Sequence, residues 1–206
     1  MGEKISCREV SRLLKYRQFL LQARQEGREN VFSHELASAA DISPEQVRRD
    51  IMRLQINGRP QKGYKIEEFL AEIESRLVPQ KVNVAIVGVG NLGRAVLSYF
   101  AKRRPNIAIV AAFDSDPDKA DRVISGCKCY PPERLSEVVK EKGITLGIIS
   151  VPADDAQRTA DAMTAAGIRG IVNFAPASVA VREGIYLENI DITTAIEKTA
   201  YFSNNL

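Results

Sequence analysis

Histidine is almost missing: His34 is the only one in 206 residues. A histidine general base, a nucleophile–histidine pair and a histidine-rich metal site are therefore poorly served. His34 falls on a surface helical stretch and is assigned no chemistry. Cysteine is nearly as scarce, with Cys7, Cys127 and Cys129 alone. Three thiols make neither a disulfide framework nor a four-ligand zinc site, and no metal is expected. Cys127 and Cys129 are too close in sequence for a relaxed bridge, so free thiols are expected. Long apolar runs are also lacking. None reaches the length of a membrane span, and the charged start has no signal-peptide core. These absences predict a soluble, cytoplasmic protein without a membrane partner.

What is present is enough apolar material for a real core, at 45% of the residues. A chain of this length holds one large or two small domains. Formal net charge is only +3, yet its placement is uneven. Between Arg48 and Lys65 six basic residues (Arg48, Arg49, Arg53, Arg59, Lys62, Lys65) face Asp50 alone. A stretch this basic suits phosphate, although a solvated face has the same composition.

The first 79 residues divide into short helical segments. Residues 8–26 supply an apolar side through Val10, Leu13, Leu14, Tyr16, Phe19, Leu20 and Ala23. Ser33 reads as the N-cap of a second helix ending at Ala40, with Leu36, Ala37 and Ala40 inward. Ser43-Pro44-Glu45-Gln46 has the form of a capping box with proline at the first helical position. The helix it opens should run to about Gln55, burying Val47, Ile51 and Leu54. Gln46, Arg48, Arg49, Asp50 and Arg53 would lie on its other sides. Residues 56–66, with a turn between Gly58 and Gly63, read as a small β-wing. Residues 66–77 read as another amphipathic helix, and Pro79 to Lys81 as a linker.

Two short helices around a tight turn, the second one basic, followed by a wing, predict a winged helix-turn-helix. The helix starting at Pro44 would enter the major groove of double-stranded DNA. Gln46 and Arg49 are the candidates for base edges, because both side-chain types make bidentate pairs there. Arg48, Arg53, Arg59 and Lys62 would meet phosphate or the minor groove. Ser43, Gly58, Gly63 and Tyr64 complete the candidate DNA-binding set. A helical packing domain with an exposed basic face is the plainer alternative.

The stretch Val84-Ala-Ile-Val-Gly88-Val89-Gly90-Asn91-Leu92-Gly93 organises the rest. An apolar run, a glycine turn and a helix-like start make a G-x-G-x-x-G in the context that dinucleotide binding requires. Gly88 permits the turn, Gly90 lets the backbone approach a pyrophosphate, and Gly93 lets helix and strand pack closely. A second apolar run, residues 107–113, ends at Asp114, 21 positions after Gly93. That is close to the spacing at which a carboxylate takes the ribose 2′-hydroxyl, which favours NAD+/NADH over the 2′-phosphorylated forms. Beyond Asp114 and Ser115 the pattern repeats: helix at 131–142, strand at 144–151, helix at 154–166, strand at 170–173. Such alternation predicts a parallel sheet covered by helices. The strand ends would gather Val151, Pro152, Asn173, Phe174, Ala175 and Pro176 beside the glycine turn as further cofactor contacts. Residues 179–187 read as a hairpin turning at Glu183-Gly184. A terminal helix from Thr193 to Ser203 has little core left to join.

The order of these parts resembles the redox-sensing transcriptional repressor Rex family of bacteria. The resemblance is carried nearly end to end by Glu45-Gln46-Val47-Arg48-Arg49-Asp50, Gly63-Tyr64, Gly88 to Arg94, Phe113-Asp114, Val151-Pro152-Ala153, Ala166-Gly167-Ile168, Asn173 to Pro176 and Asn189-Ile190-Asp191. It implies an α/β protein with a winged helix domain (1–79), a Rossmann domain binding NAD+/NADH (80–190) and a C-terminal helix exchanged between subunits (191–206). It implies a homodimeric repressor that holds operator DNA when NAD+ prevails and releases it when NADH binds. It also implies switch and interface roles for Tyr99 and Asp191. An NAD-dependent oxidoreductase with an N-terminal appendage is the alternative. Against it, the sheet region has no histidine, and Tyr99 is followed four residues on by Arg103, not lysine. A nucleotide-gated module that binds a protein through its winged helix is a third.

Overall fold

The computed structural model describes residues 5–58, 61–77, 81–101 and 106–204. By internal contacts the chain divides into two units, Met1–Pro79 and Gln80–Leu206. Each is described by itself.

The first unit is built on α1 (Cys7–Gln25), α2 (Ser33–Ala40), α3 (Pro44–Arg53) and α4 (Ile66–Leu77), with strands β1 (Asn30–Val31) and β2 (Tyr64–Lys65). Leu13, Tyr16 and Leu20 of α1 meet Leu36, Val47, Ile51, Ile66, Phe69 and Ile73 in one closed core. Ser6 caps α1, its hydroxyl accepting from the Glu9 N–H. Ser43 caps α3 as its sequence predicts, accepting from the Gln46 N–H at 3.3 Å.

Several expectations for this unit need correction. Ser33 is the first helical residue of α2, not its cap; Phe32 holds the cap position. The Phe32 N–H donates instead to the Glu35 carboxylate at 2.8 Å. The Ser43 box is only half formed, because the Gln46 side chain turns to Asp50. Helix α3 ends at Arg53, and Gln55 turns the chain in the left-handed region at φ +58°. The wing strand Tyr64–Lys65 pairs antiparallel with Asn30–Val31, a strand not expected from the sequence. Residues 56–58 form no strand, and Arg59 and Pro60 of the expected turn lie outside the described residues, as do Pro79 and Gln80 of the expected linker.

The second unit is a seven-stranded sheet in the order β5-β6-β4-β3-β7-β8-β9. Its strands are β3 (Val82–Val87), β4 (Ile107–Phe113), β5 (Val123–Ile124), β6 (Cys127–Tyr130), β7 (Ile144–Ile149), β8 (Gly170–Asn173) and β9 (Tyr186–Asn189). Helices α5 (Asn91–Phe100), α6 (Leu135–Glu141) and α7 (Ala153–Ala165) connect them, and α8 (Ile192–Ser203) follows. Alternate residues of β3 feed two cores. Val84 and Ile86 join Leu97 of α5, Ala112 and Ile148 on one face. Ala85 and Val87 join Val138 of α6, Ala160 and Met163 of α7 on the other. Burial on both faces is why these strands read as unbroken apolar runs.

The sheet is mixed. Six strands run parallel, while β5 lies antiparallel on the edge beside β6. The expected hairpin at residues 179–187 is absent: Glu183-Gly184 does turn, but β9 then runs parallel to β8. Gln157 of α7 holds the segment before the turn. Its amide donates to the Ala180 carbonyl and accepts from the Ala180 N–H, both at 2.9 Å, occupying the groups a strand partner would need. No described helix is long and apolar enough to cross a membrane.

Candidate functional site

Apart from its antiparallel edge, the sheet has the 3-2-1-4-5-6 order of doubly wound nucleotide-binding sheets, with β3 in the first position. Neighbours lead away from β3 in opposite directions, to β4 and to β7. Ligands of such sheets bind beyond the carboxyl ends of the strands at that reversal. The candidate residues sit there: Gly88 to Gly93 follow β3, Asp114 and Ser115 follow β4, Val151 and Pro152 follow β7, and Asn173 to Pro176 end β8.

The glycines differ in what they permit. Gly88 lies at φ +94°, and a Cβ there would run into the Ser150 carbonyl. A Cβ on Gly93 would run into the Gly88 carbonyl, so this glycine closes α5 onto the turn. Around Gly90, the N-cap of α5, a Cβ would meet nothing within 4 Å. The opening of α5, Gly90 with the exposed Asn91 and Leu92, thus faces open space with the unpaired N–H groups of a helix N-terminus, a fit for a pyrophosphate.

Asp114 is tied to the same turn. Its carboxylate accepts from the Val89 N–H at 2.7 Å, from the Asp116 N–H at 2.9 Å and from Lys119 Nζ at 3.2 Å. Lys119 also lies 3.3 Å from Asp116. Its ammonium is held charged: desolvation works against it, but the two carboxylates more than offset that and raise its pKa. Lys119 was missed by sequence reasoning, because nothing in residues 115–122 marks a turn that folds back onto Asp114. Ser115 is exposed beside it.

The remaining strand ends are built differently. Ser150 Oγ donates to the Gly88 carbonyl at 2.7 Å, stitching β7 to the glycine turn. Val151 and Phe174 are half-buried, and Pro152 and Pro176 are exposed. Asn173 is 1% exposed and has a framework role: it donates to the Ala177 carbonyl and to Asn189, and accepts from the Ala175 N–H. A cavity of about 280 Å³ is lined by Asn173, Ala175, Pro176, Asn189 and Asp191. Cys127 and Cys129 are buried free thiols on the α5 face of the sheet. Burial pushes the Cys127 thiol up to about 11 and raises Cys129 as well, so neither is an activated nucleophile.

Of the two proposed switch residues, Tyr99 stands half-exposed on α5, edge-on to Phe100 at 5.4 Å. Asp191 is the N-cap of α8. It accepts from the Thr194 N–H at 3.0 Å and the Thr194 hydroxyl at 2.6 Å, and these bonds lower its pKa.

In the first unit the basic residues gather around α3. Arg48 pairs with Glu45 at 2.9 Å, and Arg53 reaches back to Glu9 of α1 at 3.1 Å. Arg49 donates to the side-chain amide oxygen of Gln46, Oε1, at 2.9 Å, and Lys62 is exposed. Gly63, at φ +75°, leads into β2, where the Tyr64 ring packs edge-on against Phe69. Gly58 packs against the same Tyr64 ring. The largest surprise is Asp50, expected on a polar side but only 1% exposed. Arg12 of α1 binds both its oxygens, at 2.6 and 2.7 Å, and the Tyr16 hydroxyl adds a bond at 3.0 Å. Burial alone would raise the Asp50 carboxyl, but the bonds from Arg12, Tyr16 and Gln46 hold it below the ordinary carboxylate range.

A helix-turn-helix with a wing strand, joined in one chain to a doubly wound sheet with a complete glycine turn, defines a class: a nucleotide-responsive DNA-binding regulator. Residues 4–51 match the family described as putative DNA-binding protein N-terminus, and residues 79–177 the family described as CoA binding domain. The redox-sensing transcriptional repressor Rex of Listeria monocytogenes is 37% identical over 98% of this chain and 94% of its own. That of Lactobacillus acidophilus is 36% identical over 97% and 95%. The chain belongs to the Rex family of redox-sensing transcriptional repressors. Among solved structures, RSP, a Rex-family repressor, matches with a TM-score of 0.85 at 26% identity, covering 99% of this chain and 96% of its own. RSP in complex with β-NAD+ and operator DNA matches at 0.87, covering 99% and 94%.

Proposed function

We infer that this chain is a transcriptional repressor that reads the NADH/NAD+ ratio, holding operator DNA when NAD+ prevails and releasing it when NADH binds. One observation carries this reading: a basic helix-turn-helix and a complete dinucleotide turn occur in one chain, alike nearly end to end to a repressor solved with β-NADH and with β-NAD+ and operator DNA. Gly88 to Gly93 would hold the pyrophosphate, and Asp114 a ribose hydroxyl. Oxidised nicotinamide is a cation and reduced nicotinamide is neutral. Val151 and Phe174 offer apolar surface at the strand ends, which favours burial of the neutral form because a charge loses more hydration.

The site residues and their roles follow from the same reading. Arg48, Arg49, Arg53 and Lys62 would face DNA from α3 and the wing, with Gln46, Ser43, Gly63 and Tyr64 shaping that surface. Arg59 belongs to the set by sequence and lies outside the described residues. Tyr99 and Asp191 would act at the subunit contact. Domain limits of 1–79, 80–190 and 191–206 fit a homodimer in which α8 crosses to the partner. Every residue of α8 is exposed among the described residues, including Ile192, Ile196, Tyr201 and Phe202. A regulator working on DNA in a bacterium acts in the cytoplasm.

The reading is regulatory, not enzymatic. Hydride transfer to a carbonyl needs a proton donor beside it. The sequence has no histidine after His34, and its buried thiols hold their protons. The test is DNA binding by the full chain against genomic fragments, at fixed salt, as the NADH/NAD+ ratio is varied. Binding should fall as NADH rises. Equal affinity with saturating NAD+ or NADH would sink the proposal.

A further inference from the structure

Asp50 does more than join two helices. Four donors converge on its carboxylate: Arg12 Nε and Nη2, the Tyr16 hydroxyl, and Gln46 Nε2 at 2.9 Å. An ionised carboxylate only accepts hydrogen bonds. Gln46 must therefore turn its amide nitrogen inward, one helical turn back from Asp50. Its carbonyl oxygen is left facing outward, where Arg49 Nη2 donates to it at 2.9 Å. The relay runs from α1 through Asp50 and Gln46 to Arg49, and it ends on the exposed side of α3.

This orientation alters what α3 can read. A glutamine recognises adenine by using amide nitrogen and oxygen together on N7 and N6. Here both ends of the Gln46 amide are engaged by the protein. Arg49 carries five N–H donors, so one held by Gln46 leaves a fork for the O6 and N7 acceptors of guanine.

We propose that Asp50 is a positioning residue for base readout: by fixing the polarity of the Gln46 amide it makes Gln46 a bracket for Arg49, and α3 selects guanine where Arg49 meets the groove. This rests on the DNA-binding reading above and adds to it a base preference and the residue that sets it.

The experiment uses the full chain saturated with NAD+. A duplex is selected by the wild-type chain from a random-sequence library, and base preference at each position is measured, with a scrambled duplex alongside. The wild type should show a guanine that Arg49→Ala abolishes. Asp50→Asn lets the Gln46 amide turn over. It should lower the ratio of selected to scrambled affinity by about tenfold or more and flatten that guanine position. Gln46→Met should flatten the same position, and the double variant should flatten it no further. If Asp50→Asn fails to fold, Gln46→Met decides. A purely mechanical role lowers both affinities together and keeps the guanine preference, which would overturn the proposal. So would an intact guanine preference in Gln46→Met. If the wild type selects no duplex at all, the DNA-binding reading falls, and this proposal with it.

Discussion

At the scale of the residue, Asp50 shows where reading by periodicity stops. Val47, Ile51 and Leu54 announce the buried seam of α3, and all three are buried. Asp50 sits three residues after Val47, on the margin of that seam, and its charge places it outside. It is inside because Arg12, 38 positions earlier, supplies a bidentate fork that no local pattern reveals. The place of Asp114 beside the glycine turn was legible for the opposite reason: its spacing from that turn is set by the local geometry of one strand–helix–strand unit. Lys119, which holds that carboxylate, was not. The Asp50 pair also has a pH signature. Its carboxyl pKa is lowered in the folded chain, so its contribution is fully present above the unfolded value, about 3.9, and is lost as pH falls through the folded value. Asp50→Asn should be less stable than wild type at pH 7 by roughly 3 kcal/mol, the lower end for breaking a buried pair because Arg12 keeps some exposure. That difference should hold down to about pH 4 and shrink below it. Urea unfolding of both proteins between pH 7 and pH 3 checks this; a gap that widens in acid would contradict it.

At the scale of the element, helices and apolar strands were legible and their partners were not. Residues 66–77 form the expected helix, and β3, β4, β7 and β8 lie where apolar runs place them. Beyond the early end of α3, the missing strand at 56–58 and the short strands β1, β5 and β6, which no apolar run marks, the errors concern pairing. Nothing in Asn30–Val31 says that it meets Tyr64–Lys65, and nothing in Tyr186–Asn189 distinguishes a hairpin from a parallel sixth position. Register over such distances depends on which edges the folded sheet leaves open, and local sequence does not carry that. Helix α8 is a different case, since its sequence has apolar residues and its own chain provides no core for them. Ile196 is 63% exposed and Phe202 55%. Burying what remains exposed of either on a partner would contribute about 1–2 kcal/mol. Ile196→Glu should therefore shift the purified chain from dimer toward monomer at micromolar concentration, with the helix and the Asp191 cap retained. Light scattering after size exclusion reads the mass. An unchanged dimer would mean that α8 is not the contact.

At the scale of the whole molecule the two units carry separate binding functions, and the proposed switch is the free energy that couples them. Such coupling is reciprocal: if NADH weakens operator binding by some factor, operator must weaken NADH binding by the same factor. To turn an almost wholly DNA-bound population into an almost wholly free one, NADH must prefer the non-binding arrangement by about 5.5 kcal/mol. A weaker preference gives a graded response. The prediction is therefore quantitative. The product of the two NADH affinities of a homodimer, measured with and without saturating operator duplex at one ionic strength, should fall by the ratio by which saturating NADH reduces operator affinity. Salt must be held fixed because phosphate contacts, proposed here for Arg48, Arg49, Arg53 and Lys62, would make DNA affinity fall steeply with ionic strength. If the two ratios differ beyond error, the arms are not measuring one two-state equilibrium. If operator leaves NADH affinity untouched while the chain binds both, the winged helix and the sheet bind their ligands independently, and the chain lacks the coupling that a redox sensor requires.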